Sequence, residues 1–205
     1  MRPYTFLHFN KCRLSILKGL IGMNIKLVVC AALVDKDGRV LVNSRPEGKS
    51  AFTKLSGQAL RLQQLAPSFV LLGAMSWQYS FEKLLASEEF GVGGSQFGRA
   101  FDSSEITGDH GIAFKLELQK TFQINKAYIN EIQAYTFFDH GTVWNRLKTS
   151  TGSNKQDLNS IGLGFRFDLA NHLSGYLELD KPLNRDVAAQ GNKDTRMFFS
   201  LSANF

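Results

Sequence analysis

Cysteine, proline and long apolar runs are all scarce in this chain of 205 residues. Its 2 cysteines, Cys12 and Cys30, lack the spacing of metal ligands, and two cysteines alone do not predict a disulfide. The longest apolar run covers residues 27–34, far short of the roughly 20 residues of a membrane-spanning helix. Mean hydropathy is only −0.15. The sequence therefore excludes a helical membrane protein. A membrane protein built of strands stays open, because alternate residues of such strands are polar.

Acidic residues are missing from the front of the chain. The net charge of +6 is concentrated there, because five basic residues precede the first acid, Asp35. The rest of the chain is mixed in sign, without a continuous basic stripe or the aromatic spacing of an RNA-binding sheet. We therefore predict no nucleic-acid partner.

Patterns that carry enzyme chemistry are absent as well. The 4 histidines are isolated in the sequence, without the paired spacing of a metal site. No Gly-x-Ser-x-Gly motif occurs, and Ser95, which follows two glycines, has no evident base. We therefore predict no catalytic residues, no metal ligands and no cofactor, and we do not expect an enzyme.

The first 50 residues divide into two segments by composition. Residues 1–23 are basic and free of acids; we expect them to be poorly structured, and they form no clear export signal. Residues 24–50 predict a β-hairpin with the turn Asp-Lys-Asp-Gly at 35–38. With Arg-Pro-Glu-Gly at 45–48, this hairpin resembles the start of a Nudix hydrolase. The glutamate-rich helix that holds metal and pyrophosphate in that family is missing downstream, so we interpret the segment as a Nudix-like remnant.

From residue 51 onward the hydrophobic pattern has a period of two. Apolar residues at 161, 163, 165, 167 and 169 alternate with Gly162, Gly164, Arg166 and Asp168. Such patterns predict strands near 52–63, 68–80, 112–119, 132–139 and 173–180, with turn-rich stretches at 148–157 and 184–194. Segments of about ten residues are long enough for a tilted strand to cross a bilayer. We predict that residues 51–205 are all-β and form the C-terminal half of an antiparallel transmembrane β-barrel, with about seven or eight strands.

The last nine residues complete this pattern. They place Phe199, Leu201 and Phe205 on one apolar face of a strand. A soluble domain rarely ends on so apolar an edge strand, because such an edge invites aggregation. In an outer-membrane barrel the same face contacts lipid, so we predict that these three residues are a C-terminal insertion signal. The alternative is a soluble β-barrel that binds an apolar ligand.

Several ordered motifs lie between and within the predicted strands. Residues 89–101 read Glu-Phe-Gly-Val-Gly-Gly-Ser-Gln-Phe-Gly-Arg-Ala-Phe, and Gly-Asp at 108–109 opens the next strand. Phe-Phe-Asp-His-Gly at 137–141 and Ile-Gly-Leu-Gly at 161–164 follow. Together with the terminal phenylalanine, this series resembles the haemolysin secretion/activation family, the outer-membrane transporters of two-partner secretion. The residues that carry the resemblance are Gly93, Gly94, Phe97, Gly98, Arg99, Ala100, Phe101, Gly108, Asp109, Phe137, Asp139, Gly141, Gly162 and Gly164.

The resemblance implies a mechanism and a set of partners. In the family the long loop folds back into the barrel lumen and its arginine pairs with the aspartate of a later strand, which here gives Arg99 and Asp139. A guanidinium can bind a carboxylate through two hydrogen bonds, which suits such a tether. The implied partners are a secreted haemolysin- or adhesin-like protein, outer-membrane lipid and the barrel assembly machinery. The implied location is the bacterial outer membrane.

Two features depart from the family pattern. Ala100 occupies the glycine position of the loop tip, so the tip is strained if its backbone needs a positive φ there. The chain also holds about half of the family's strands and no POTRA domains. Eight strands that close alone, several chains that associate, and a truncated or fused gene product would each account for this, and the Nudix-like lead-in favours the last. We expect that this chain exports nothing by itself.

Overall fold

The computed structural model describes residues 15–18, 23–30, 48, 52–126, 129–146, 154–169 and 173–203. Within these ranges the regular structure is β, apart from one 3₁₀ helix at Ala86–Glu88. The strands are β1 (Ser15–Lys18), β2 (Met23–Cys30), β3 (Phe52–Ala66), β4 (Phe69–Ser80), β5 (Phe90–Val92), β6 (Ile106–Gly108), β7 (His110–Lys126), β8 (Ile129–Trp144), β9 (Lys155–Leu169), β10 (Leu173–Pro182) and β11 (Arg196–Ala203). No helix in the described ranges is long and apolar enough to cross a membrane.

Most of these strands form a single antiparallel sheet in which neighbours along the chain are neighbours in space. The order is β1-β2-β3-β4-β7-β8-β9-β10-β11. β5 and β6 form a separate two-stranded sheet within the connection from β4 to β7. An up-and-down order of this kind is the strand arrangement of an up-and-down barrel. In the described part of the chain, β1 and β11 are the two ends of the large sheet.

The connections between strands differ in length at the two ends of the strands. β3 and β4 are joined by the two-residue turn Pro67-Ser68, whereas residues 81–109 separate β4 from β7. The connections at 145–154 and 183–195 lie at the same end of the strands as residues 81–109, because the strands are antiparallel. Short turns at one end of the strands and long loops at the other end are typical of outer-membrane barrels.

The two faces of the sheet are inverted relative to those of a soluble protein. The outer face is apolar and exposed, with Leu163 at 51%, Phe165 at 48% and Phe199 at 75% of full exposure. The inner face is polar and buried, and Asp139 and Asp180 on it have no exposed surface. Water disfavours exposed apolar surface by about 25 cal/mol per Å², whereas lipid accepts it. The prediction of an all-β antiparallel fold is confirmed.

The observed strands differ in length from those predicted. β7 runs from His110 to Lys126 and exceeds the predicted 112–119 at both ends. β9 begins at Lys155, inside the predicted turn-rich stretch 148–157, because Lys155 already pairs with Trp144 of β8. Residues 148–153 of that stretch lie outside the described residues, as does Phe205.

The predicted N-terminal hairpin is described only in part. β2 contains most of its first strand and pairs with β1 on one side and with β3 on the other. This strand therefore extends the same sheet that residues 52–203 form. The turn at 35–38 and the second predicted strand lie outside the described residues. The boundaries after residues 23 and 50 stay predictions.

Candidate functional site

The long β4–β7 loop (residues 81–109) lies over the inner face of the sheet. Its β5–β6 hairpin carries Val92 and Ile106, each only 1% exposed, into a small apolar core. The loop, the sheet and the β10–β11 loop all contribute to this core, whose other buried members are Ala100, Phe101, Ala113, Val143, Leu158 and Val187. Phe97 is partly buried against it. The loop is therefore packed onto the sheet.

Three glycines shape the tip of this loop. Gly93, Gly94 and Gly98 have φ angles of 123°, 86° and 86°, in the region where L residues are strained. At Gly98 a Cβ would also lie 2.6 Å from Cδ1 of Leu158. These glycines permit the turn that presents Arg99 to the inner face.

The condition for strain at Ala100, a positive φ angle, is not met. Among described non-glycine residues the positive-φ position is Ser104, at 55°, so the left-handed position of the tip falls on Gly98 rather than on Ala100. Ala100 is fully buried in the loop core. Its methyl group packs in the core without requiring an unusual backbone conformation.

We therefore expect Ala100→Gly to give no gain. Loss of a buried methyl group and added backbone freedom should lower the free energy of unfolding by about 1 kcal/mol. Urea titration of the folded chain in lipid vesicles would measure this change. Ala188→Gly, at an exposed position, is the matched control. A stabilised Ala100→Gly variant would show that the alanine strains the tip.

Arg99 is the centre of a buried ionic cluster. Its Nε and Nη2 atoms donate to the two carboxylate oxygens of Asp139, each at 3.2 Å. Nη1 donates to Oε2 of Glu117 at 2.7 Å and to Oε2 of Glu178 at 3.2 Å. The backbone N–H groups of Gly98 and Arg99 also donate to Asp139 Oδ2, at 3.1 and 3.0 Å. One guanidinium thus contacts carboxylates from β7, β8 and β10.

The guanidinium of Arg99 also stacks on an aromatic ring that lies over a glycine. Its Cζ atom is 3.3 Å from the centroid of Phe137. Phe137 occupies the space beside Gly162, where a Cβ would lie 2.5 Å from its Cζ atom. Because Gly162 has no side chain, the Phe137 ring can lie against the backbone of β9, beneath the guanidinium of Arg99.

A second layer of side chains, two residues away along β8 and β9, repeats this arrangement of an arginine stacked on an aromatic ring beside a glycine. Arg166 stacks on Tyr135 at 3.7 Å, and a Cβ at Gly164 would lie 2.5 Å from the tyrosine hydroxyl oxygen. Tyr135 donates its hydroxyl to Glu178 at 2.7 Å. Glu117 joins the layers, because its Oε1 accepts from Arg166 at 2.8 Å while its Oε2 accepts from Arg99.

The charge balance of the cluster keeps Arg99 cationic. Burial by itself lowers the pKa of this guanidinium, but hydrogen bonds to Asp139 and Glu117 and the charges of Asp139 and Glu178 raise it further, so the net shift is upward. Arg99 is 8% exposed. A buried cation held by several carboxylates anchors a loop firmly, because removal of one partner leaves the others uncompensated.

Asp109 holds the base of the loop. Its Oδ1 accepts from the backbone N–H of Leu84 at 2.8 Å, and its Oδ2 accepts from that of Arg146 at 2.9 Å. Its neighbour Gly108 lies against β8, where a Cβ would approach the carbonyl oxygen of Trp144 to 2.8 Å. Gly141, further along β8, faces the side chain of Val92. These motif residues join the loop to β7 and β8.

The structure does not bring every predicted residue into this site. Phe199 and Leu201 lie on the outer face, with 75% and 63% of their surface exposed. Sequence reasoning missed Glu117, Glu178, Tyr135 and Arg166 as members of the cluster. One signal could have indicated these four residues: each is a charged or hydroxyl-bearing residue on the polar face of a strand whose other face is mainly apolar. In the described part of the chain, no group of three or more His, Cys, Asp or Glu residues could hold a metal ion.

Comparison with known proteins agrees with this geometry. The described strands form an open antiparallel sheet of the up-and-down barrel type, with a long loop anchored on its polar inner face. A family model described as "Haemolysin secretion/activation protein ShlB/FhaC/HecB" matches residues 16–167, and the chain belongs to this family. The match includes residues 24–50.

A solved structure with a similar fold is CdiB from Escherichia coli, with a TM-score of 0.66 and 18% sequence identity. The similarity covers 92% of this chain and 34% of CdiB, so the chain spans about a third of that protein's length. No curated protein matches. The family is one of transporters, so the expectation that the chain is not an enzyme agrees with it.

Proposed function

We propose that this chain forms the C-terminal part of an outer-membrane transporter that secretes or activates a haemolysin- or adhesin-like partner protein. The observation that carries the proposal is the anchoring of the β4–β7 loop by Arg99 on Asp139, Glu117 and Glu178. Asp139 is fully buried, and Arg99 and Glu178 are nearly so. The family resemblance implies a loop that folds back into the polar lumen, and this cluster is a suitable attachment for it.

The lining of the remaining space supports passage of a polypeptide. A cleft of about 430 Å³ lies between the β4–β7 loop and the inner face of β3 and β4. The side chains of Ser56, Gln58, Ser76 and Gln78 line it, and none of them is charged. Hydroxyl and carboxamide groups both donate and accept hydrogen bonds, as an extended peptide backbone does.

The outer face supports the proposed location. Its apolar side chains match a lipid environment. Near the end of the strands that carries the short β3–β4 turn, the Nζ atom of Lys120 lies 4.8 Å from the ring centroid of Phe122 and 5.1 Å from that of Phe69. Lysine and aromatic residues together are typical of a membrane interface. We therefore infer that outer-membrane lipid and the barrel assembly machinery are partners and that nucleic acid is not.

A chimera tests the proposal. In a complete family member, the matching segment would be replaced by residues 52–205 of this chain, and export of that transporter's own partner into the medium would be measured. We expect export by the chimera and its loss in the same chimera with Arg99→Ala. A chimera that assembles in the outer membrane but exports nothing would contradict the proposal. A strain with only this chain tests the separate expectation that it exports nothing alone.

A further inference from the structure

A second arginine, on β11, also holds the tip of the β4–β7 loop. Arg196, the first residue of β11, donates through Nη1 to the carbonyl oxygen of Ala100 at 3.0 Å. Its Nη2 atom donates to Oδ1 of Asp102 at 2.8 Å. The side chain of Arg196 is 17% exposed, whereas that of Asp102 is 43% exposed. This contact joins the loop to the last strand of the sheet.

A buried acidic side chain whose partner is another acid lies directly across from Arg196. Asp180 of β10 is the Cα partner of Arg196 in the β10–β11 pairing, so both side chains start on the inner face. Asp180 has no exposed surface, and neither of its carboxylate oxygens accepts a hydrogen bond from a described residue. Its side chain is hydrogen-bonded to that of Glu178, the next residue on the same face of the strand, which is also an acid.

This arrangement is unusual in energetic terms. Opposite charges directly across an antiparallel pair normally attract each other, and a buried acid whose partner is another acid is disfavoured as an anion, because like charges at that distance repel. Arg196 nevertheless directs both terminal nitrogens to the loop. The guanidinium starts from a strand position within reach of either carboxylate, because directly opposed Cβ atoms are only about 4.5–5.5 Å apart.

We propose that Arg196 has two positions: it holds the loop through Ala100 and Asp102, and it pairs with Asp180 when the loop leaves the inner face. The inference rests on the proposed role of the loop as an anchored element of a transporter. Asp180 stabilises the released state, because it offers Arg196 a new partner. The balance between the two carboxylates then sets how often the loop opens.

Labelling of a buried cysteine tests this exchange. In the full chain with Cys12→Ser and Cys30→Ser, Ala100→Cys places a thiol at a position that is buried while the loop is docked. The folded chain in lipid vesicles would be treated with a maleimide, and the labelling rate would be measured. We expect Arg196→Met to raise this rate about fivefold, because the loop loses a charge-assisted attachment.

Asp180→Asn is the variant that separates an exchange from a simple tether. We expect it to lower the labelling rate about threefold in the Arg196 background, because the released state loses its partner, and to have no effect in the Arg196→Met background. Lys181→Gln, on the outer face next to Asp180, is the control and should leave the rate unchanged.

Two results would overturn the proposal. An unchanged or faster rate in Asp180→Asn would show that Asp180 does not receive Arg196. An unchanged rate in Arg196→Met would show that Arg196 does not hold the loop. Because no secreted protein is present in this assay, its outcome is independent of the export experiment, and failure of one is distinguishable from failure of the other.

Discussion

Replacing Arg99 with alanine is expected to release the β4–β7 loop and to lower the free energy of unfolding by about 3–5 kcal/mol. The reason is the number of carboxylates that this one guanidinium serves. Without it, Asp139, Glu117 and Glu178 face each other on the inner face, with compensation left mainly to Arg166 on Glu117. Urea titration in lipid vesicles would measure the loss of stability.

Substitutions around the cluster separate charge from geometry. Arg99→Lys keeps the cation but cannot donate in a fork to both oxygens of Asp139, so we expect it to recover less than half of the loss. Arg61→Ala is the matched control, since Arg61 is exposed and donates to Gln63 on its own strand; its effect should stay within about 0.5 kcal/mol.

A double-mutant cycle then tests whether Arg99 acts through Asp139. Arg99→Ala and Asp139→Asn should be strongly non-additive, because the first removes both side-chain hydrogen bonds of the pair and the second removes its negative charge and one of its two acceptor oxygens. Additive effects would mean that Arg99 stabilises the loop mainly through Glu117, Glu178 and the Phe137 ring.

The alternation of side chains explains how much of the fold could be predicted. Residues 161–169 place aliphatic and aromatic side chains on one face and Arg166 on the other, and the structure has the same division. A period of two is a local property of the strand, so it is readable without knowledge of the neighbours. The predicted positions of the strand ends are less accurate, because pairing with neighbouring strands extends β7 and β9 beyond the residues that alternate in hydrophobicity.

The cluster itself depends on information that local pattern does not contain. Glu117, Phe137 and Gly162 lie side by side because the pairing register aligns β7 with β8 and β8 with β9. A shift of the register by one residue would turn each of them to the other face. Arg196 contacts Ala100 across 96 positions of the sequence. That contact depends on the path of two loops, and no spacing in the sequence indicates it.

The contact between Arg99 and Asp139 could be predicted from the family resemblance but not from the hydrophobic pattern. Arg99 and Asp139 are 40 positions apart, and their pairing was expected only because the loop and strand motifs occur together. The same resemblance left open whether the backbone at Ala100 needs a positive φ angle. The positive φ angle falls on Gly98, two residues earlier, where it is 86°.

Gly162→Ala is expected to disturb the site from beneath and to lower the free energy of unfolding by about 1–3 kcal/mol. The new Cβ would lie 2.5 Å from Cζ of Phe137 and 2.5 Å from Oδ1 of Asp180, so both side chains must move. Phe137 is the ring on which Arg99 stacks, and its displacement therefore reaches the loop. Gly73→Ala is the control, because its Cβ would meet Leu116 at an ordinary 3.6 Å.

The effect of Gly162→Ala should depend on Arg99 if the glycine serves the cluster rather than the strand. In the Arg99→Ala background the ring no longer supports a guanidinium, so we expect the added loss on Gly162→Ala to fall to less than half of its value in the parent chain. An equal loss in both backgrounds would mean that Gly162 matters only for packing between β8 and β9. Since Gly164 has the same relation to Tyr135 and Arg166, the same cycle at that level tests whether both layers follow one rule.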